Sequence, residues 1–414
     1  MRSLPPARSP LDPRSLGAGL AAALGGGEDP RPRLAARLAE RYGARDVVLT
    51  DSGTTALRLA IAGSLAAQGG FVALPAFACY DVATAAIGAG ATVRLYDVDP
   101  GTLEPDERSL GRLIAEGAAA VVVAHLFGQP APVDRIEARC RAAGCTLIED
   151  AAQEAGGRLA GRRLGSFGSI SILSFGRGKG MTGGSGGAAL VHDDRGAAAL
   201  AAAGAPPRGS RGAGDVLVAG ALWALARPAW FWLPRALPGL KLGETVYKEP
   251  AEPAGMSRAA AAIAAASLAL LDREVEVRRR HADRLRAAIH AGGDVRPAAS
   301  GRGDAEPGWL RLPVLLGEQA RAAADGPEAA SLGIVRSYPR PLHRLGPLAP
   351  ALLSEEACPG AERLAAGLYT LPTHGGLAAR DVQALAAWLE GASRPRGHPP
   401  SAAGSRMSNE RPGA

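Results

Sequence analysis

Between residues 46 and 192, short apolar runs alternate with alanine-rich stretches of helical length. The runs 46–50, 70–74, 92–97, 119–125, 146–150, 170–174 and 188–192 read as strands. The stretches 54–68, 82–89 and 132–143, with 31–42 ahead of them, read as helices. Strands that are apolar throughout must be covered on both faces, and strand–helix alternation makes them mostly parallel. The expectation is an α/β chain whose large domain holds a mostly parallel sheet between helices. Past Met256, a long helix is expected over 257–291, then strands at 310–316 and 333–337 and a terminal helix at 379–390. These make a smaller C-terminal α+β domain. The divisions read from the sequence are a flexible N-terminal arm (1–29), a large domain (30–248), a small domain (249–392) and a disordered tail (393–414).

Charge narrows the function. The chain has 47 Lys plus Arg, of which only Lys179, Lys241 and Lys248 are lysines, so 47 − 3 = 44 are arginines. Arginine stays protonated, whereas lysine can lose its proton and act as an amine nucleophile, so a lysine in such a chain draws attention. The net charge of +7 is scattered. No basic stripe is interleaved with aromatics, which argues against nucleic-acid binding, while a mildly basic surface favours anionic substrates. Cys79, Cys140, Cys145 and Cys358 have neither zinc-site nor disulfide spacing. No metal site is expected, and a cytoplasmic setting is.

One segment stands apart. Residues 216–233, VLVAGALWALARPAWFWL, hold three of the five tryptophans, with Arg227 and Pro228 near the middle. The interruption argues against a bilayer span. Packing in the protein or at an interface is expected ahead of membrane-surface contact.

Three features converge on one chemistry. Asp51-Ser52-Gly53-Thr54-Thr55 lies where a strand ends and a helix begins, a place suited to a phosphate or to plain helix capping. Asp150 ends a very apolar strand, where it can pair with a protonated pyridine nitrogen or cap a turn, and Gln153 lies one turn on. Ser174 ends another strand, and Lys179 follows among glycines that permit close backbone approach. An amine, a carboxylate and a phosphate cradle at neighbouring strand ends are what pyridoxal 5′-phosphate requires.

The chain resembles the DegT/DnrJ/EryC1/StrS family of sugar aminotransferases, of the fold-type-I pyridoxal-phosphate class. The matching stretches include Ser52-Gly53-Thr54, Leu74-Pro75-Ala76-Phe77, His125-Leu126-Phe127-Gly128-Gln129-Pro130, Glu149-Asp150-Ala151-Ala152-Gln153, Ser174-Phe175 before Lys179, and Tyr338-Pro339. The resemblance runs from about residue 30 to 392. It implies Lys179 as the cofactor's Schiff-base lysine and general base, and Asp150 as partner of the pyridine nitrogen. It places Gln153 near the phenolic oxygen, and Ser52, Gly53, Thr54 and Ser174 at the phosphate. His125 matches a motif position, with a site role and a structural role in the turn both open.

The resemblance also implies a keto-sugar substrate, nucleotide-linked in the family, an amino-acid donor such as glutamate, and a homodimer. Departures are equally specific. Where the family stacks an aromatic ring on the cofactor, this chain has Cys79 followed by Tyr80, so either Tyr80 stacks or that face is lined differently. Pro253 and Gly255 stand where an Asn-x-Arg usually precedes Met-Ser. Arg177 and Gly178 replace the usual residues before the lysine. The competing readings are a non-catalytic binding protein on the same fold and a sugar dehydratase relative. The latter carries histidine where this chain has Lys179.

Overall fold

The computed structural model describes residues 3–233 and 245–394. Its centre is a seven-stranded sheet of β1 (Asp46–Thr50), β2 (Val72–Pro75), β3 (Val93–Tyr96), β4 (Ala120–Ala124), β5 (Thr146–Asp150), β6 (Ile170–Ser174) and β7 (Gly187–Val191), in the order β1-β7-β6-β5-β4-β2-β3. β3, β2, β4, β5 and β6 run parallel, while β7 is antiparallel to both β1 and β6. The carboxyl ends of β1, β2, β4, β5 and β6 therefore share one edge of the sheet, joined there by the start of β7. The central strands are buried along their length, as their unbroken apolar runs require.

A smaller four-stranded sheet forms the second domain from Val295–Pro297, Arg311–Leu316, Val335–Arg336 and Leu368–Pro372. The expected strand at 333–337 shrinks to two residues. The helix expected over 257–291 is instead two, Arg258–Leu268 and Leu271–Ala287. Ser267 sits at the break, its Oγ accepting from Thr182 N–H at 3.0 Å and donating to the Pro10 carbonyl at 2.9 Å. The first of these helices packs with Leu34, Leu173 and Met181 of the large domain.

The N-terminal segment is not a loose arm. Helix Pro13–Ala23 is capped by Asp12, and Leu4 and Leu11 are buried. The extended stretch before it is tied along the way, with Leu4 N–H donating to the Ser331 carbonyl at 2.8 Å and the Pro5 carbonyl bonded to His374 Nε2 at 2.9 Å.

The tryptophan-rich segment forms helix Ala213–Leu225 and a following turn. It packs on one side only, where Ala219 meets Leu11 and Ile263. Arg227 stacks over the Trp223 ring at 4.2 Å. Leu217, Trp230 and Trp232 remain exposed, so the packing expected for this segment is only partial within the single chain. No described helix is long and apolar enough to cross a membrane. Lys241 and all of the tail beyond residue 394 lie outside the described residues.

Candidate active site

The shared strand edge opens into a cleft lined by Gly53, Thr54, Asp150, Gln153, Ser174 and Lys179. The topology brings Gly53 and Lys179, 126 positions apart (179 − 53), into one cleft because parallel strands end there.

The anion-binding corner forms where helix Gly53–Gln68 starts. Ser52 is its N-cap, with its Oγ accepting from Thr55 N–H at 3.1 Å. Ser52 thus spends its side chain on the helix, and it lies outside the inner cleft, in the wall of an adjoining one. Gly53 and Thr54 occupy the first turn, where free N–H groups and the helix dipole favour an anion. A Cβ built on Gly53 would lie 2.8 Å from Ser174 Cβ, and one on Gly187 would lie 2.4 Å from Gly53 N. Only glycines let these strand ends close around a phosphate-sized group.

Asp150 ends β5 and accepts from Ala152 N–H at 3.0 Å. Burial pushes its carboxyl above the usual range, and the nearby Lys179 charge opposes that shift. A partly shielded carboxylate with a single N–H donor is a good acceptor for a cationic ring nitrogen. Next to it in sequence, Glu149 has a different task. It is fully buried and accepts from Gly165 N–H (2.7 Å), Phe167 N–H (2.7 Å), Ser171 Oγ (2.7 Å) and His125 Nε2 (2.8 Å). Those bonds hold its carboxyl below the usual range despite its burial. His125 completes the network, its Nδ1 accepting from Ala131 N–H at 3.0 Å. Of the two roles left open for His125, its ring nitrogens are spent on the structural one, while the ring itself lines the cleft.

Lys179 follows β6 on a loop held from several sides. Phe175 N–H donates to the Gly186 carbonyl at 2.8 Å, and its own carbonyl accepts from Gly183 N–H at 2.9 Å. Gly178 has φ +74°, and a Cβ on Gly180 would come within 2.7 Å of Ala155 Cα. The glycines around Lys179 thus serve the turn and its close packing. Gln153 lines the cleft, but its amide is partly committed: Oε1 accepts from Phe127 N–H at 2.8 Å and Nε2 donates to the Tyr338 hydroxyl at 2.7 Å. One Nε2 hydrogen is left for a ligand.

Tyr80, offered by the sequence as a possible stacking ring, lies outside the cleft lining. Its ring is buried, and its hydroxyl accepts from Arg340 N–H at 3.0 Å. Cys79 does line the cleft, with burial and the Asp81 carboxylate pushing its thiol up to about 12, so it stays protonated. Two further lining residues carry no expectation from the sequence. Asp81 sits in the first turn of helix Tyr80–Gly88, and Tyr338 stacks on Phe127 at 5.7 Å between ring centroids. Tyr338 belongs to a Tyr-Pro pair visible in the sequence, and that pair was its only signal.

The residues present fit pyridoxal 5′-phosphate: a primary amine, a carboxylate and a glycine-shaped anion corner line one cleft. A model of the DegT/DnrJ/EryC1/StrS aminotransferase family matches residues 29–217 and 236–390. The interval between the two matches falls on the tryptophan-rich segment. An L-glutamine:2-deoxy-scyllo-inosose aminotransferase from Micromonospora echinospora is 30% identical over 319 residues, 74% of this chain and 70% of that protein. A GDP-perosamine synthase from Caulobacter vibrioides is 33% identical over 156 residues, 38% of this chain and 42% of that protein. Among solved structures, the aminotransferase TlmJ from Streptoalloteichus hindustanus has a TM-score of 0.73 at 24% identity, covering 95% of this chain and 98% of its own. That likeness concerns the fold.

Fold and family together define a fold-type-I, pyridoxal-phosphate-dependent aminotransferase. The chain belongs to the DegT/DnrJ/EryC1/StrS family.

Proposed function

We propose that this enzyme moves an amino group from an amino-acid donor of the glutamate or glutamine type to the keto group of a sugar or cyclitol. The observation that carries the reading is Lys179 in one cleft with Asp150 and the Gly53–Thr54 corner. Relatives named for an inosose and for a GDP-linked amino sugar support a polyhydroxylated keto acceptor.

Pyridoxal phosphate, when bound, would supply an electron sink for the carbon that gains or loses the amine. Lys179 Nζ would tether it, and once released would carry the proton to and from that carbon as general base and acid. Asp150 would hold the proton on the ring nitrogen, and the Gly53 and Thr54 N–H groups with the Ser174 hydroxyl would seat the phosphate. Gln153 would donate its remaining hydrogen to the ring's oxygen substituent. Active sites shared between two copies in a homodimer, working in the cytoplasm, complete the proposal.

The test is a screen of purified, cofactor-loaded protein against keto sugars and keto cyclitols, free and nucleotide-linked, with glutamate or glutamine as donor. Aminated product is the expected result. Bound cofactor with no amination of any acceptor would favour the non-catalytic reading.

A further inference from the structure

Exposed apolar side chains gather on two packed helices. Of the nine large ones exposed among the described residues, Leu20 and Leu24 lie on or just past helix Pro13–Ala23. Five more lie between Leu217 and Leu233, on helix Ala213–Leu225 and its following turn. A Cβ built on Gly19 would lie 3.6 Å from Val216 Cγ2, and Leu16, Leu222 and Trp223 pack against Leu11 and Ala219. The inner sides of both helices are therefore satisfied. Leu217, 76% exposed, and Trp230, 54% exposed, are left in solvent. An apolar patch of this kind marks a place of contact. Six of the seven side chains, all but Leu217, lie outside residues 29–217 and 236–390, which match the family. The patch is thus built from what this chain adds to the shared fold.

The charge on these elements has one sign. From residue 13 to 27 and from 216 to 233 the only charged side chains are Arg14 and Arg227. Arg227 lies over the Trp223 ring at 4.2 Å, and neither arginine makes an ion pair among the described residues. The carboxylates at the two helix starts are engaged elsewhere. Asp12 accepts from Ser15 N–H at 2.8 Å and Ser15 Oγ at 2.7 Å. Asp215 accepts from Ser185 Oγ at 2.6 Å and Ser257 Oγ at 2.5 Å. A second copy packed about a two-fold axis would set this patch on itself, arginine against arginine with no acid between them. A surface bearing phosphates supplies the opposite charge. Tryptophan suits the same surface, because its ring is apolar while its N–H seeks a polar partner, as at a bilayer's headgroup level.

We propose that these two helices attach the enzyme to the surface of a membrane containing anionic phospholipid. Leu217, Trp230 and Trp232 enter the boundary between headgroups and acyl chains, and Arg14 and Arg227 supply charge for the lipid phosphates. No described helix is long and apolar enough to cross a bilayer, so the attachment is peripheral. The inference stands apart from the chemistry proposed above. Val218 is exposed on the same helix and also lines the cavity that holds Ser52, Gly53 and Thr54, so it is left unchanged in the test.

The experiment floats the full chain on a density gradient with vesicles of phosphatidylglycerol and phosphatidylcholine in equal parts, and with vesicles of phosphatidylcholine alone. Wild type should rise with the mixed vesicles, its tryptophan emission shifted to shorter wavelength. It should partition to them at least about tenfold more strongly than to the neutral ones, and less strongly as salt is added. The double variant Trp230→Ser, Trp232→Ser should lose about tenfold or more of that partition. Arg227→Gln should lose about fivefold. It leaves the apolar side chains in place, so it decides the matter if circular dichroism shows the double variant unfolded. Wild type absent from the floated mixed vesicles, equal partition to both kinds of vesicle, or partition that Arg227→Gln and the double variant leave unmoved would overturn the proposal. So would a wild-type oligomer in light scattering that the double variant breaks into smaller species, since a second copy would then cover the patch.

Discussion

Ser9 Oγ donates a 2.9 Å hydrogen bond to the carbonyl of Lys179, 170 residues away. The N-terminal segment is thus part of the catalytic loop's support. On either side of Ser9, Pro10 is held by Ser267 and Arg8 by the Arg278 guanidinium at 3.1 Å. Ser9→Ala removes one neutral bond, worth about 1 kcal/mol. If the bond orders the loop that cofactor binding needs, the cofactor's dissociation constant should rise about fivefold. An absorbance titration measures this, and unchanged affinity with unchanged turnover would show that Ser9 only decorates the loop.

Lys179→Arg keeps a cation in the cleft but cannot form the covalent link to the cofactor. The purified variant should lack the yellow absorbance of wild type, and borohydride, which in wild type reduces the C=N link to a stable secondary amine, should attach no cofactor to it. Transamination should fall to background. A variant that stays yellow after dialysis and still turns over would show that another group carries the cofactor.

Asp150→Asn should separate function from stability. Asp150's carboxyl is pushed above its ordinary value in the folded, cofactor-free cleft. A raised folded value means that stability falls as pH rises past the unfolded carboxyl's value of 3.8, with the full cost present above the folded value. Asparagine removes that cost, so the cofactor-free variant should match or exceed wild type in denaturant midpoint at pH 7. The loaded variant should lose about 100-fold or more in kcat, about 2.7 kcal/mol of barrier. Denaturant melts of the cofactor-free proteins and kcat of the loaded ones check both halves. Turnover close to wild type would remove Asp150 from the ring-nitrogen role.

How far the sequence carried this picture follows from where each signal is stored. The strand ends at Asp150 and Ser174 were legible because strands covered on both faces are rich in apolar residues and end near polar ones, and β1, though only partly buried, shows an apolar run of its own before Thr50. The break after Leu268 was not, because tertiary bonds from Ser267 to Thr182 and Pro10 set it inside a run of good helix formers. The order of residues 3–12 was hidden for the same reason, since their partners lie hundreds of residues away. Tyr80 shows the limit of position in a motif: one residue along a helix start turns a ring by about 100°, and here it points into the core. Arg311 had no motif around it, and only the fold sets it in one cavity with Lys179.

Glu149 is the buried carboxylate on which the cleft floor rests. Its four donors come from the loop at Gly165 and Phe167, from Ser171 on β6 and from His125 after β4, so it ties three strand ends together. Glu149→Gln keeps the shape but turns an amide N–H₂ toward groups that donate, leaving buried donors unpaired. A loss of about 3 kcal/mol in unfolding free energy at pH 7 is expected. The pH dependence gives a sharper test. Glu149's folded value is lowered from 4.5, so its stabilisation is complete above that value and is lost as pH falls through the lower folded one. The gap between wild type and Glu149→Gln, read from urea midpoints at a series of pH values, should therefore be constant near neutrality and close only below about 4.5. A gap that persists unchanged into strong acid would mean that packing, and not the ionised carboxylate, accounts for the loss.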